Sequence, residues 1–284
     1  MAANPKKCLL CKSGDRRVVF AYRSPDKYER AAGVARTDYF RKWVQCRQCG
    51  FYYSIYSRSP KILDRLYASA YRDERASWRH ESAEATFRKI VALPKGKSET
   101  KFRVGWIKEN IADLWRQGIV ERSAPPYKFL DVGGGAGIFA YEFQRKNWQA
   151  YIADPSQGNE FIENELGIPI RRAFYRPGLF NFKFTLISVN YVLEHLCDPR
   201  AFLKSVSRDL AKNSLLYIEV PDALCFRRLP RDHDIFNACH LWMFDPKSLT
   251  AFLNYCGFEV LALSRIKALR GHYGLMALSS QNRH

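Results

Sequence analysis

The stretch Tyr127 to Gly137, Y-K-F-L-D-V-G-G-G-A-G, constrains the fold more than any other part of this 284-residue chain. An apolar run, Phe129 and Leu130, leads into Asp131; glycines follow at 133, 134, 135 and 137, and then a helix-compatible segment from Ile138 to Lys146. That order reads as a buried strand, a tight turn and a helix start. Glycine has no Cβ and tolerates positive φ, so a ligand can lie against the bare backbone of such a turn. Spacing excludes two common uses of it. A dinucleotide fingerprint, G-x-G-x-x-G counted from Gly133 and Gly135, needs glycine where Ile138 stands, and no Gly-Lys-Ser/Thr follows to make a P-loop. What remains is D-x-G-x-G-x-G.

From Tyr127 on, apolar strand-like runs alternate with helical periodicity, which predicts βαβ units and a parallel sheet. The pattern predicts strands at 127–132, 149–153, 168–172, 184–189, 215–220, 258–266 and 273–279, and helices near 137–147, 157–166, 199–210 and 246–256. The D-x-G-x-G-x-G spacing resembles the first motif of class I methyltransferases that use S-adenosylmethionine. V-L-E-H-L at 192–196 and E-V-P-D at 219–222 are similar to later segments of the same family. The resemblance implies a Rossmann-like α/β sheet of seven strands whose last strand is antiparallel, here joined through a turn at Arg270-Gly271.

Ahead of that domain, Cys8-x-x-Cys11 is answered by Cys46-x-x-Cys49 across 34 residues. Two such knuckles supply four thiolates to one tetrahedral zinc, since each short turn points both sulfurs to one side. A redox C-x-x-C needs only one pair, and a cytoplasmic location disfavours disulfides. Four cysteine ligands leave no position for water, so the predicted zinc is structural. The intervening residues have room for a hairpin, Arg17 to Tyr22 with Tyr39 to Val44. C-x-x-C-G, an aromatic strand and L-Y-x-x-x-Y at 66–71, within a predicted helix over 60–71, together resemble the N-terminal part of zinc-ribbon methyltransferases acting on sugars and related small molecules. Two charged helices, interrupted near Pro94 to Ser98, are expected to pack on the catalytic domain and cover its cofactor mouth. The expected organisation is a zinc-ribbon module over 1–56, a helical linker or cap over 57–124, and a methyltransferase domain over 125–284 with a lid at 223–244.

In an open parallel sheet, ligands sit at the carboxyl ends of the strands. The resemblance puts the methionine part of S-adenosylmethionine on Asp131 and the turn glycines Gly133, Gly135 and Gly137. Asp154 ends the second strand, 17 residues after Gly137. A carboxylate there can accept hydrogen bonds from both ribose hydroxyls, or alternatively serve with Ser156 as a helix N-cap. No acidic residue follows the third strand, so the adenine is expected against backbone amides and Phe174. Asn190 and Tyr191 would stand beside the cofactor, with Glu194 and His195 facing the acceptor or else bracing the turn. His195 or Tyr191 is the expected base, since an in-line displacement needs positioning and, for a hydroxyl, removal of a proton. His240, in the H-x-x-x-F of the lid, is a second candidate for acceptor contact. Arg227, Arg228 and Arg231 suit a diphosphate or carboxylate, and Asp232-His233-Asp234 is read as a polar turn in preference to a metal site.

Net charge is +18, and it is uneven: residues 1–125 hold 27 Lys/Arg against 13 Asp/Glu, and residues 126–284 hold 19 against 15. A basic surface favours anionic partners, whether a nucleotide-sugar, a glycan or a nucleic acid, or is a solvated face without a partner. No apolar run has the length of a membrane span and the first residues lack a signal-peptide core, so a soluble cytoplasmic protein is expected. The leading expectation is methyl transfer to a sugar, nucleotide-sugar, glycan or other small polar metabolite at oxygen. RNA methylation is the alternative, with the basic zinc module on the phosphate backbone, although no N/D-P-P-Y motif or pyrimidine-attacking cysteine stands out. A third expectation is a cofactor-binding protein without catalysis, which Asp131, Asp154 and His195 argue against.

Overall fold

A computed structural model describes residues 7–57, 59, 64, 81–145, 147–267 and 273–282. Apart from Asp64, the helix expected over 60–71 with its L-Y-x-x-x-Y motif lies outside the described residues, as does the turn at 270–271.

Seven strands form the main sheet: β4 (Tyr127–Val132), β5 (Trp148–Ala153), β6 (Ile170–Arg171), β7 (Phe184–Asn190), β8 (Leu210–Pro221), β10 (Phe258–Lys267) and β11 (Tyr273–Gln281). Their order is β10-β11-β8-β7-β4-β5-β6. The five strands from β4 to β8 are parallel, and β11 runs antiparallel between β8 and β10. The order reverses between β4 and β7, which opens a crevice at their carboxyl ends. Strand periodicity explains the burial on both faces. Leu130, Ile187 and Leu216 point into one core, with Leu203 and Val206 of the helix α6 (Pro199–Asp209) and Leu249 and Phe252 of the helix α7 (Pro246–Tyr255). Phe129, Leu186 and Tyr217, one residue out of step, point into the other. There they meet Phe139 and Phe143 of the helix α4 (Ile138–Phe143) and Val104, Ile107 and Ile111 of the helix α3 (Glu99–Arg116).

The two charged helices are present, as α2 (Ala83–Val91) and α3, each opened by a serine cap: Ser82 accepts from the Ala85 amide and Ser98 from the Lys101 amide. A short 3-10 turn at Lys95–Lys97 separates them. Several expected boundaries move. The third strand shrinks to two residues at the sheet edge, next to Pro169, which has no N–H for a ladder. The helix expected over 157–166 contracts to α5 (Phe161–Asn164), between Gly158 and Gly167, both at positive φ. The strand expected from 215 begins at Leu210, directly after α6.

A second, four-stranded sheet has the order β1-β2-β3-β9. Its first three strands are β1 (Arg16–Tyr22), β2 (Arg41–Cys46) and β3 (Tyr52–Tyr56), with the short helix α1 (Lys27–Ala31) between the first two. The hairpin pairs Tyr22 with Arg41 and Arg16 with Cys46, so its second strand sits slightly later than the expected 39–44. The fourth strand, β9 (Trp242–Met243), comes from the far end of the chain and pairs antiparallel with Tyr52 and Tyr53. The 223–244 segment is therefore pinned. Phe226 and Phe236 pack on Trp43 and Phe20, and Tyr56 Oη donates to the Ala238 carbonyl at 2.7 Å. Among the described residues, no helix is long and apolar enough to cross a membrane.

Candidate functional site

A cavity of about 1060 Å³ opens at the carboxyl ends of the central strands. Asp131, Gly133, Gly134, Asp154, Phe174, Asn190, Tyr191, Glu194, His195 and His240 all line it, together with Glu99, Thr100 and Arg103 of α3. Gly135 and Gly137 do not line it. Residues of α3 therefore line the cavity, and the 223–244 segment contributes Ile235, Asn237 and His240 to its lining.

The turn after β4 is shaped by what has no side chain. Gly133 takes φ of 75°, and a Cβ there would stand 2.6 Å from Val192 Cγ2. Its amide donates to the Ala153 carbonyl at 2.8 Å, tying the turn to β5. Asp131 is buried and accepts the Ser188 hydroxyl at 2.5 Å. A Cβ on Gly134 would lie 2.8 Å from Asp131 Oδ2, so that carboxylate supports the turn from within. Asp154 is also engaged: Gly135 N donates to its Oδ2 at 2.8 Å, and Ser156 donates its amide at 2.8 Å and its hydroxyl to Oδ1. Asp154 is not a helix N-cap, since α5 begins only at Phe161 after Glu160; its carboxylate holds the Ser156 turn and borders the cavity. Gly137, at φ of 74°, caps α4. Phe174 stands on the rim, 51% exposed, as an uncovered ring face.

Beyond the turn lies a polar end. Asn190 closes β7, and its buried Oδ1 has no hydrogen-bond partner among the described residues. Tyr191 takes φ of 52°, a conformation that non-glycine residues hold only where their surroundings enforce it. Its amide donates to the Glu219 carbonyl at 2.9 Å. Burial, then the Glu219 carboxylate, push the Tyr191 phenol well up, which keeps its proton in place. Glu194 is fully buried in the 3-10 turn Leu193–His195, and neither carboxylate oxygen has a hydrogen-bond partner among the described residues. Burial, with a smaller push from Glu219, raises it to about 8.

His195 and His240 meet with ring centroids 4.8 Å apart. Two contacts bring them together across the sequence: the Leu241 amide donates to the Glu194 carbonyl at 2.8 Å, and Trp242 Nε1 to the Leu196 carbonyl at 2.7 Å. His195 Nδ1 lies 2.8 Å from the Cys239 carbonyl and His240 Nδ1 2.6 Å from the Ile235 carbonyl. A carbonyl only accepts, so each Nδ1 carries the proton and each Nε2 the electron pair. Burial, and then the neighbouring His240, push His195 down to about 3, leaving it neutral and a weak proton acceptor. Of the three arginines suited to a diphosphate or carboxylate, Arg231 donates to the Ala21 carbonyl, 2.8 Å away, and lies over the Tyr22 ring.

One buried pair is announced by no motif. Arg103 of α3 donates through Nε to both oxygens of Glu219, at 2.8 and 2.7 Å, and Tyr217 Oη donates to the same carboxylate at 2.7 Å. The available signal was an arginine on the apolar stripe of Val104, Ile107 and Ile111. At the other end of the molecule, Cys8 and Cys49 sulfurs lie 3.5 Å apart, those of Cys11 and Cys46 3.4 Å, and all four within 4.8 Å. Bonds of about 2.3 Å in a tetrahedron place sulfurs nearly 4 Å apart, so the four thiols fit one zinc ion.

A family model described as a methyltransferase domain matches residues 100–263, more than half of the chain. The chain matches no curated protein. Similar solved structures include an S-adenosylmethionine-dependent methyltransferase from Clostridium acetobutylicum ATCC 824, at 13% identity and a TM-score of 0.49 over 70% of this chain and 99% of that one. Another is the 1,6-didemethyltoxoflavin-N1-methyltransferase of Burkholderia thailandensis, at 14% identity and 0.47 over 72% and 92%. A third is the N-methyltransferase NodS of Bradyrhizobium japonicum WM9, at 14% identity and 0.46 over 72% and 100%.

Proposed function

The chain belongs to the methyltransferase-domain family and is an S-adenosylmethionine-dependent methyltransferase; on that premise we propose that it methylates an oxygen of a sugar, nucleotide-sugar, glycan or other small polar metabolite. One observation carries this reading: a single cavity runs from the glycine turn at Gly133 to the polar cluster of Tyr191, Glu194, His195 and His240. At about 1060 Å³ it has room for a donor and a small acceptor side by side. The fit to the cofactor rests on the bare glycine backbone that Gly133 and Gly134 present to the cavity and on the unsatisfied Asn190 oxygen facing the same space.

In this reading the turn from Gly133 to Gly137 and Asn190 hold the methionine part, Asp154 accepts from the ribose and Phe174 covers the adenine. The bound cofactor supplies an electrophilic methyl group on sulfur. The chain's part is to orient an acceptor oxygen in line with it, exclude water and let the acceptor's proton leave. Those tasks fall to the buried end, with Tyr191 as a hydrogen-bond donor and Glu194, His195 and His240 around the acceptor. We also read Cys8, Cys11, Cys46 and Cys49 as the ligands of one structural zinc.

The test offers purified protein and methyl-labelled cofactor to a panel of nucleotide-sugars and glycans and, in parallel, to total RNA. Label in the small-molecule panel that is lost in Asn190→Ala is the expected result. Label in RNA alone, lost in the same variant, overturns the acceptor class in favour of the nucleic acid. Calorimetry should show S-adenosylhomocysteine binding that Gly133→Ala abolishes, because the new Cβ meets Val192.

A further inference from the structure

Glu194, His195 and His240 converge at the inner end of the cavity, their ligating atoms within 4.8 Å of one another. We propose that these three side chains form a binding site for a divalent first-row transition-metal cation, distinct from the cysteine cluster, with its remaining positions open toward the acceptor. Two imidazoles and one carboxylate are a donor set for Mn²⁺, Fe²⁺, Co²⁺ or Zn²⁺ and a poor one for Ca²⁺.

Three independent features point to a cation. Glu194 is wholly buried, yet neither of its oxygens has a hydrogen bond among the described residues. A buried carboxylate in that condition is costly unless a positive charge faces it. Each histidine is oriented as a ligand would be, with Nδ1–H donated to a backbone carbonyl, Cys239 for His195 and Ile235 for His240, and the Nε2 pair presented away from it. The third feature is that two chain segments are fastened together where the ligands sit, through the Leu241 amide to the Glu194 carbonyl. Glu194 and His195 are adjacent, and His195 Nε2 is 3.8 Å from Glu194 Oε1. Bonds of about 2.1 Å draw such atoms closer by rotamer adjustment alone.

Three protein ligands leave open positions. An acceptor hydroxyl held there is acidified and fixed in direction. Its proton leaves to bulk water, its electron pair forms the new bond to the methyl carbon, and the C–S bonding pair departs with sulfur. This role rests on the methyl-transfer reading; the cation site itself does not.

The test is Mn²⁺ binding by electron paramagnetic resonance on the full-length, zinc-replete protein, with S-adenosylhomocysteine binding measured by calorimetry on the same samples. Mn²⁺ does not compete for thiolates, so the cysteine cluster stays out of the readout. We expect saturable uptake of one Mn²⁺ per chain, weakened by more than about tenfold in Glu194→Ala and in His240→Ala. S-adenosylhomocysteine affinity should persist in His240→Ala. If Glu194→Ala does not fold, His240→Ala and His240→Asn decide the matter, since that ring is only partly buried. Absence of saturable uptake by the wild type, or equal uptake by wild type and the His240 variants, overturns the site. Mn²⁺ uptake without S-adenosylhomocysteine binding would instead sink the cofactor reading and leave the cation site standing.

Discussion

Gly274 shows how finely the residue scale is set around the polar end of the cavity. It is a strand residue, yet a Cβ there would stand 2.6 Å from Tyr191 Oη and 3.1 Å from Glu219 Oε1. Tyr191 has little room to retreat, because its backbone is already held at positive φ. We expect Gly274→Ala to cost about 1–3 kcal/mol in urea unfolding. Gly105→Ala is the matched control, with open space around it in the middle of α3, and it should stabilise by about 0.5–1 kcal/mol. Equal stability of Gly274→Ala and wild type would mean that Tyr191 moves aside at no cost. The same scale shows what a sequence can and cannot disclose. Asp131, the glycines and Asp154 are linked by one turn and one βα step, so spacing alone relates them. The meeting of Glu194 with His240 depends on contacts made by the Leu241 amide and the Trp242 indole, and nothing local to either residue encodes it.

At the scale of elements, α3 is fastened to β8 by charge as well as by apolar packing. Glu219 is fully buried and Arg103 nearly so. Truncating one partner leaves the other charged and unpaired in a dry setting, which costs about 3–5 kcal/mol, whereas replacing both with apolar groups is close to neutral. Urea unfolding should therefore show a large loss for Arg103→Ala and recovery of most of it in Arg103→Met combined with Glu219→Leu. If the double variant is as unstable as the single one, the pair is not an isolated unit and Tyr217 or Tyr191 shares its function. Helix α3 was legible as one of two charged helices. Its packing against β8 was not, because Arg103 and Glu219 are brought together by sheet order, and sheet order leaves no local trace in the sequence. The strands of the central sheet were legible for the opposite reason, being continuous apolar runs that need burial on both faces.

At the scale of the whole molecule, the cysteine cluster and the cavity belong to one construction. The cluster closes the hairpin that leads to β3, β3 pairs with β9, and Tyr56 holds the Ala238 carbonyl two residues before His240. We expect Cys46→Ser combined with Cys49→Ser to lose one zinc in native mass spectrometry. We also expect faster hydrogen exchange at 236–243 as well as at 41–56, with 127–153 unchanged. Faster exchange confined to the N-terminal residues would show that the cavity wall stands without the cysteine cluster.

The pairing of Tyr52 and Tyr53 with Met243 and Trp242 also bears on biosynthesis. As the chain leaves the ribosome, β3 emerges with one edge unpaired, and the strand that covers it is not made until most of the catalytic domain has been translated. During that interval the buried aromatic residues of β3 form a bare edge of the kind that recruits foreign strands. The closing of β9 onto it is therefore a late event, and one that seals the N-terminal sheet and delivers His240 to the cavity in the same movement.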